Sequence, residues 1–240
     1  MPKSLSWFSL VVFVFAFAME TGAQEKKKKV NPAMIPVEDV EGLPRVLLIG
    51  DSISIGYTVA VQEMMKGKAN VHRPLTNCGP TTKGLEALDE WLATGGADKK
   101  WDVIHFNWGL HDLKYMGPNG ENLADPEAET SKPQVSQEDY RKNLTELVAS
   151  LKETGATLIW RNTTPVPEGA KGRVVGDSVA YNDIAAEVME SAGVEIHDLY
   201  SFAKERESEI QMEANVHYTP DGSRILAEDV VRVIATAMSE

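Results

Sequence analysis

Hydrophobic and polar positions along this chain fall into two alternating rhythms. Short apolar runs at 45–49, 70–74, 102–107, 157–161 and 194–198 read as buried strands. Between and after them, apolar residues recur at helical spacing. Leu85, Leu88 and Leu92 fall on one face, stopped by Gly95-Gly96. Ser136 and Asp139 resemble a capping box ahead of Tyr140, Leu144, Leu147, Val148 and Leu151. Tyr181, Ile184, Ala185 and Val188 make a further stripe closed by Gly193. Thr219-Pro220 predicts an N-cap with proline at the first helical position, leading into Leu226, Val230, Val233, Ile234 and Ala237. Short apolar strands alternating with helices predict an α/β fold: a five-stranded parallel sheet covered on both faces, in a flavodoxin-like three-layer sandwich. Residues 45–240 are expected to form this one domain. Residues 112–135 are the long irregular stretch, and a loop of that length is usually functional or disordered.

The start of the chain follows other rules. Lys3 precedes an apolar stretch from Trp7 to Met19, and Thr21-Gly22-Ala23 offers small residues for cleavage. Residues 1–23 read as a secretory signal peptide, so the protein is expected to be exported, to a periplasm or the exterior. The apolar core is short for a membrane span, and no stable membrane insertion is expected; an uncleaved anchor is the other reading. Lys26 to Lys29 oppose simple export by the positive-inside rule. Residues 24–44 are polar and proline-marked, as in a linker.

Composition adds two exclusions. The 240 residues are 42% apolar and 25% charged, ordinary for a globular chain, with formal net charge −12. Removing residues 1–23 takes away one Lys and one Glu, so the charge is unchanged. That balance argues against nucleic acid or an anionic membrane as partner. Cys78 is the only cysteine, which excludes an internal disulfide and reads as a buried structural thiol.

Chemistry enters at Val46-Leu47-Leu48-Ile49-Gly50-Asp51-Ser52. An apolar strand, a tight turn and a helix start put Ser52 at a helix N-terminus, where unpaired N–H groups favour developing negative charge. Gly50 leaves room beside the hydroxyl. A serine nucleophile there needs a base and an oxyanion hole. His72, His105 and His197 fall within strands and read as structural. His111 lies just past the third strand. His217, in the loop before the last helix, is the best general base. Oxyanion donors are sought in Asn77-Cys78-Gly79-Pro80-Thr81-Thr82, where the Gly79 amide can approach a substrate, and in Asn107-Trp108-Gly109-Leu110-His111-Asp112, where Asn107 and His111 carry side-chain donors. A second Gly-Asp-Ser, at 176–178, follows only Val174-Val175 and reads as a helix cap. Trp108 and Tyr115 suit either sugar stacking or core packing.

Taken together, these segments resemble the SGNH hydrolases, the esterase superfamily also called GDSL. The first block is Gly50-Asp51-Ser52-Ile53-Ser54, the second-block glycine is Gly79, the third block is Gly109-Leu110-His111-Asp112, and the last is Ala214-Asn215-Val216-His217. The resemblance implies that Ser52 attacks an ester carbonyl while His217 takes its proton. It implies an oxyanion hole of the Ser52 and Gly79 amides with His111 or Asn107, no metal and no cofactor. Asp51 would hold the turn, and Asp112 completes the third block. Two departures stand out. His111 occupies the family's asparagine position, and Ala214 occupies the triad aspartate's. The acid is then sought in Glu213 or Asp198, or in a backbone carbonyl. The substrate implied is a small-molecule ester, with O-acetyl groups on carbohydrates favoured. A lipid-type esterase or lysophospholipase and a non-catalytic glycan-binding protein are the alternatives.

Overall fold

The structure, a computed structural model, describes residues 30–239. The expected signal segment and Lys26 to Lys29 lie outside the described residues. In chain order the elements are β1 (Arg45–Ile49), α1 (Ser52–Met64), β2 (Asn70–His72), α2 (Thr81–Leu92), β3 (Val103–Phe106), β4 (Tyr115–Met116), β5 (Lys132–Pro133), α3 (Gln137–Glu153), β6 (Thr157–Arg161), α4 (Asp177–Ala192), β7 (Glu195–His197), α5 (Leu199–Lys204), α6 (Glu207–Ile210) and α7 (Pro220–Ala237).

The main sheet runs β2-β1-β3-β6-β7, and every neighbouring pair is parallel. β1 pairs on both edges and is covered on both faces. Val46, Leu47, Leu48 and Ile49 are at most 1% exposed, so the strand needs an unbroken apolar run. Burying each such side chain stabilises by about 1.5–3 kcal/mol. α1 and α7 pack together, as do α2, α3 and α4. This strand order reverses direction beside β1, and open α/β sheets bind ligands at the strand ends next to such a switch.

The expected caps form. Ser136 Oγ accepts from the Asp139 amide at 3.1 Å, and Thr219 Oγ1 from the Gly222 amide at 2.9 Å. Gly193 ends α4 at φ +66°. Gly176-Asp177-Ser178 opens α4 and does not follow a strand. β2 stops at His72, short of 74, since Pro74 has no N–H for the ladder. The stripe in α2 is corrected: Leu85 is exposed, and the helix turns Gly84, Leu88 and Trp91 inward. Gly84 faces Trp108 closely: a Cβ there would lie 3.0 Å from its ring. Trp108 is itself buried, stacked on Trp91, and so packs the core.

Residues 112–135 are fastened at several points. β4 and β5 pair within the segment. The Tyr115 amide donates to Gly172 O at 2.8 Å, and the Tyr181 hydroxyl to Val135 O at 2.6 Å. The described part of the expected linker is also tied down. Asp39 accepts from His72 Nε2 (2.6 Å), Lys99 Nζ (2.5 Å) and Arg45 Nε (3.2 Å). Burial outweighs Asp39 and holds His72 below the usual imidazole range, so the ring donates as a neutral group. His105 and His197 are structural as well. His105 Nε2 lies 3.0 Å from His197 Nδ1, and His197 Nε2 2.7 Å from Asp229 Oδ2. Cys78 is fully buried, and burial pushes its thiol up to about 11.

Candidate active site

β1 delivers its chain end at Gly50 to a turn built by the sequence itself. Asp51 Oδ1 accepts from the Ile53 amide at 3.0 Å and caps α1, so Asp51 holds the turn. A Cβ on Gly50 would fall 2.8 Å from the Ser54 Cβ, which only glycine avoids. Ser52 is the first residue of α1, and its N–H has no acceptor within the helix. From 165 residues away the loop before α7 returns His217. Its Nε2 lies 2.8 Å from Ser52 Oγ. Ser52 is half-buried and His217 exposed, so the pair faces solvent.

The partner on the other ring nitrogen is neither expected carboxylate. His217 Nδ1 lies 2.7 Å from Asn215 Oδ1. Glu213 is exposed and lines a neighbouring groove. Asp198 caps α5, accepting from the Ser201 amide (3.0 Å) and from Asn162 Nδ2 (2.7 Å). Both are corrected: Glu213, in the same loop, is turned out to solvent, and the Asp198 carboxylate is engaged at the start of α5. Asn215 was legible in one respect: Asn and Asp side chains bond the backbone two residues on, and His217 stands two residues on. A search confined to acids passes over it.

The expected oxyanion donors differ in what they already bond. Asn107 is buried and fully engaged. Its Nδ2 donates to Arg161 O (2.7 Å) and Thr163 Oγ1 (3.2 Å), and its Oδ1 accepts from Arg161 Nη2 (2.6 Å). That Nη2 is 4.0 Å from Asp51, so Asn107 braces the Gly50-Asp51-Ser52 turn through Arg161, and its own donors are engaged. The Gly79 N–H donates to Asn77 Oδ1 at 2.9 Å, within its own loop. Gly79 sits at φ +62°, where glycine is favoured. His111 is half-buried at the end of the β3 loop. Burial holds it below the usual imidazole range, and Asp51 opposes that while Lys114, Arg173 and Lys83 reinforce it. A neutral imidazole carries one N–H donor.

The third-block loop is held by Asp112, whose Oδ1 accepts from the Thr81 amide (2.8 Å) and hydroxyl (2.5 Å). Arg173 Nε and Nη2 both donate to Leu110 O. Gly109 cannot carry a side chain, since a Cβ would meet Thr163 Oγ1 at 1.9 Å. A groove of about 620 Å³, lined by Pro167, Glu168, Lys204, Met212, Glu213 and Ala214, runs up to the His217 loop. A more enclosed cavity of about 360 Å³, between residues 35–37 and Trp91, is not lined by Ser52 or His217.

The five-stranded parallel sheet flanked by helices is an α/β fold of the SGNH hydrolase kind. The chain belongs to the GDSL-like lipase/acylhydrolase family, whose model matches residues 48–225. Solved structures share the fold at low identity. The acetyl xylan esterase AlAXEase is 14% identical, with a TM-score of 0.61 over 79% of this chain and 99% of its own. Axe2, an acetylxylan esterase from Geobacillus stearothermophilus, is 15% identical, with a TM-score of 0.59 over 83% of this chain and 96% of its own. A lipase/acylhydrolase from Enterococcus faecalis is 18% identical, with a TM-score of 0.60 over 80% and 95%. No curated protein sequence matches the chain significantly.

Proposed function

We propose that this protein is a serine esterase acting on small acyl esters, with Ser52 as nucleophile and His217 as general base. The observation that carries the reading is the 2.8 Å approach of His217 Nε2 to Ser52 Oγ at a helix N-terminus. Ser52 Oγ attacks the ester carbonyl carbon and passes its proton to Nε2. The oxyanion meets the Ser52 amide and His111. Collapse of the intermediate breaks the bond to the alkoxy oxygen, and Nε2 returns its proton to that leaving group. Water then attacks the acyl-enzyme, with His217 again taking and returning a proton.

For the substrate, the proposal is O-acetyl groups on carbohydrates, and the similarity in fold to two esterases of acetylated xylan supports it. The signal-peptide pattern supports action outside the cytoplasm, and cell fractionation tests that part. The test of activity combines fluorophosphonate labelling with acetate release from acetylated polysaccharides and fatty-acid release from lipid esters. Wild type, Ser52→Ala, His217→Ala and His111→Ala are compared. Acetate release lost in the first two variants is expected, with His111→Ala lowering kcat by roughly 10²–10³-fold. Preference for long acyl chains would replace the carbohydrate reading with the lipid one. A folded wild type that neither labels nor turns over would leave a glycan-binding protein.

A further inference from the structure

We propose that Asn215 is a positioning residue that fixes the tautomer of His217, replacing the charged acid of a hydrolase triad with a neutral amide. The inference rests on the Ser52–His217 reading and concerns what makes that pair competent.

The argument turns on one oxygen. Asn215 Oδ1 accepts from the backbone N–H of His217 at 3.1 Å. A backbone N–H can only donate, so it settles which end of the amide faces His217. The same oxygen is 2.7 Å from Nδ1 of that residue's ring. An amide oxygen has no proton to offer, so Nδ1 must carry the ring hydrogen. In a neutral imidazole the other nitrogen is then bare. Nε2 therefore stands ready to accept from the Ser52 hydroxyl 2.8 Å away. A chain of two acceptors and two donors has one consistent assignment, and it is the assignment a general base requires.

The loop holds the amide in place without help from the substrate. Gln211 and Tyr218 form a bridge across its base. The Met212 amide donates to His217 O at 2.9 Å, and the Asn215 amide to Met212 O at 3.2 Å. Ala214 closes the turn at φ +50°, a left-handed conformation costly for a residue with a Cβ. The Ala214 Cβ lies against Gly169, where a new Cβ would come within 3.1 Å of it. Ala214, where the family resemblance would put the triad aspartate, is thus a turn corner here, and the next residue supplies the acceptor.

An amide and a carboxylate differ in one respect that can be measured. Both fix the tautomer, but only the carboxylate adds charge that stabilises the imidazolium formed during turnover. Asn215→Asp should therefore keep turnover and move the acid limb of the kcat/KM profile to higher pH. Asn215→Ala should lower kcat by roughly 10²–10⁴-fold with little change in KM, because the ring is free to adopt the wrong tautomer.

The deciding measurement is ¹⁵N NMR of the His217 ring in the intact protein. The wild type should show a protonated Nδ1 and an unprotonated Nε2, and Asn215→Ala a shift of population toward Nε2–H. This needs no variant to hold for its first half, so a misfolded Asn215→Ala does not blunt it. An Nε2–H tautomer in the wild type would overturn the proposal. So would an Asn215→Ala enzyme with unchanged kcat and acid limb, in a preparation where Ser52→Ala abolishes turnover. Turnover surviving Ser52→Ala and His217→Ala would instead overturn the esterase mechanism, and the role of Asn215 with it.

Discussion

Asp112 links the loop bearing His111 to the start of α2, and the fold opposes its ionisation. Its Oδ1 takes two hydrogen bonds from Thr81, while Oδ2 is buried with no partner among the described residues. Burial pushes its pKa up to about 7 from an ordinary 3.8, with Asp51 adding to the rise. Between those values the folded protein keeps a proton that the unfolded chain has lost. Stability from this group is then complete below about pH 4 and is lost as pH rises to about 7. One pKa unit is about 1.4 kcal/mol, so ionised Asp112 costs about 4 kcal/mol above that range. Asp112→Asn keeps an acceptor for Thr81 and carries the neutral form at every pH. Urea unfolding of both proteins should show the variant gaining about 4 kcal/mol on the wild type between about pH 4 and pH 8. A difference independent of pH would refute the reasoning, since it would mean that Asp112 ionises as freely in the fold as in the unfolded chain.

Asn107 should behave as a structural residue. Asn107→Leu removes the acceptor of buried Arg161 and should cost about 3–5 kcal/mol in chemical unfolding; a variant as stable as wild type but without turnover would return Asn107 to the oxyanion hole. Asp39, lowered to about 2 by Lys99, His72 and Arg45 against the opposing effect of burial, should contribute stability above about pH 4 that is lost as pH falls through about 2. Asp39→Asn is therefore expected to cost about 1–2 kcal/mol at neutral pH, part of the effect being screened at the exposed Lys99, and almost nothing near pH 2. A cost unchanged at low pH would assign the effect to packing of residues 30–44 instead.

Local pattern determined much of this protein. The unbroken apolar run of β1, the caps at Ser136 and Thr219, and the turn at Gly50-Asp51-Ser52 all follow from neighbours in sequence, because burial and capping act over a few residues. The two residues that the fold brings within 2.8 Å, Ser52 and His217, could also be singled out: one stands at a strand-to-helix turn, the other in a loop before a capped helix. What tertiary structure decided were the pairings of polar groups. Asn107 and His111 stand four residues apart and both carry donors. Only Arg161, 54 residues beyond Asn107, shows that the first is spent. Glu213 and Asp198 have the charge expected of a third triad member, yet the hydrogen bond went to a neutral side chain whose oxygen a single backbone N–H had already oriented. Leu85 continued a helical stripe, yet the packed face of α2 is the one on which Gly84 meets Trp108 from another segment. Periodicity reports which positions are buried. A hydrogen bond depends on which donor and acceptor arrive within 3 Å, and the packed chain alone determines that.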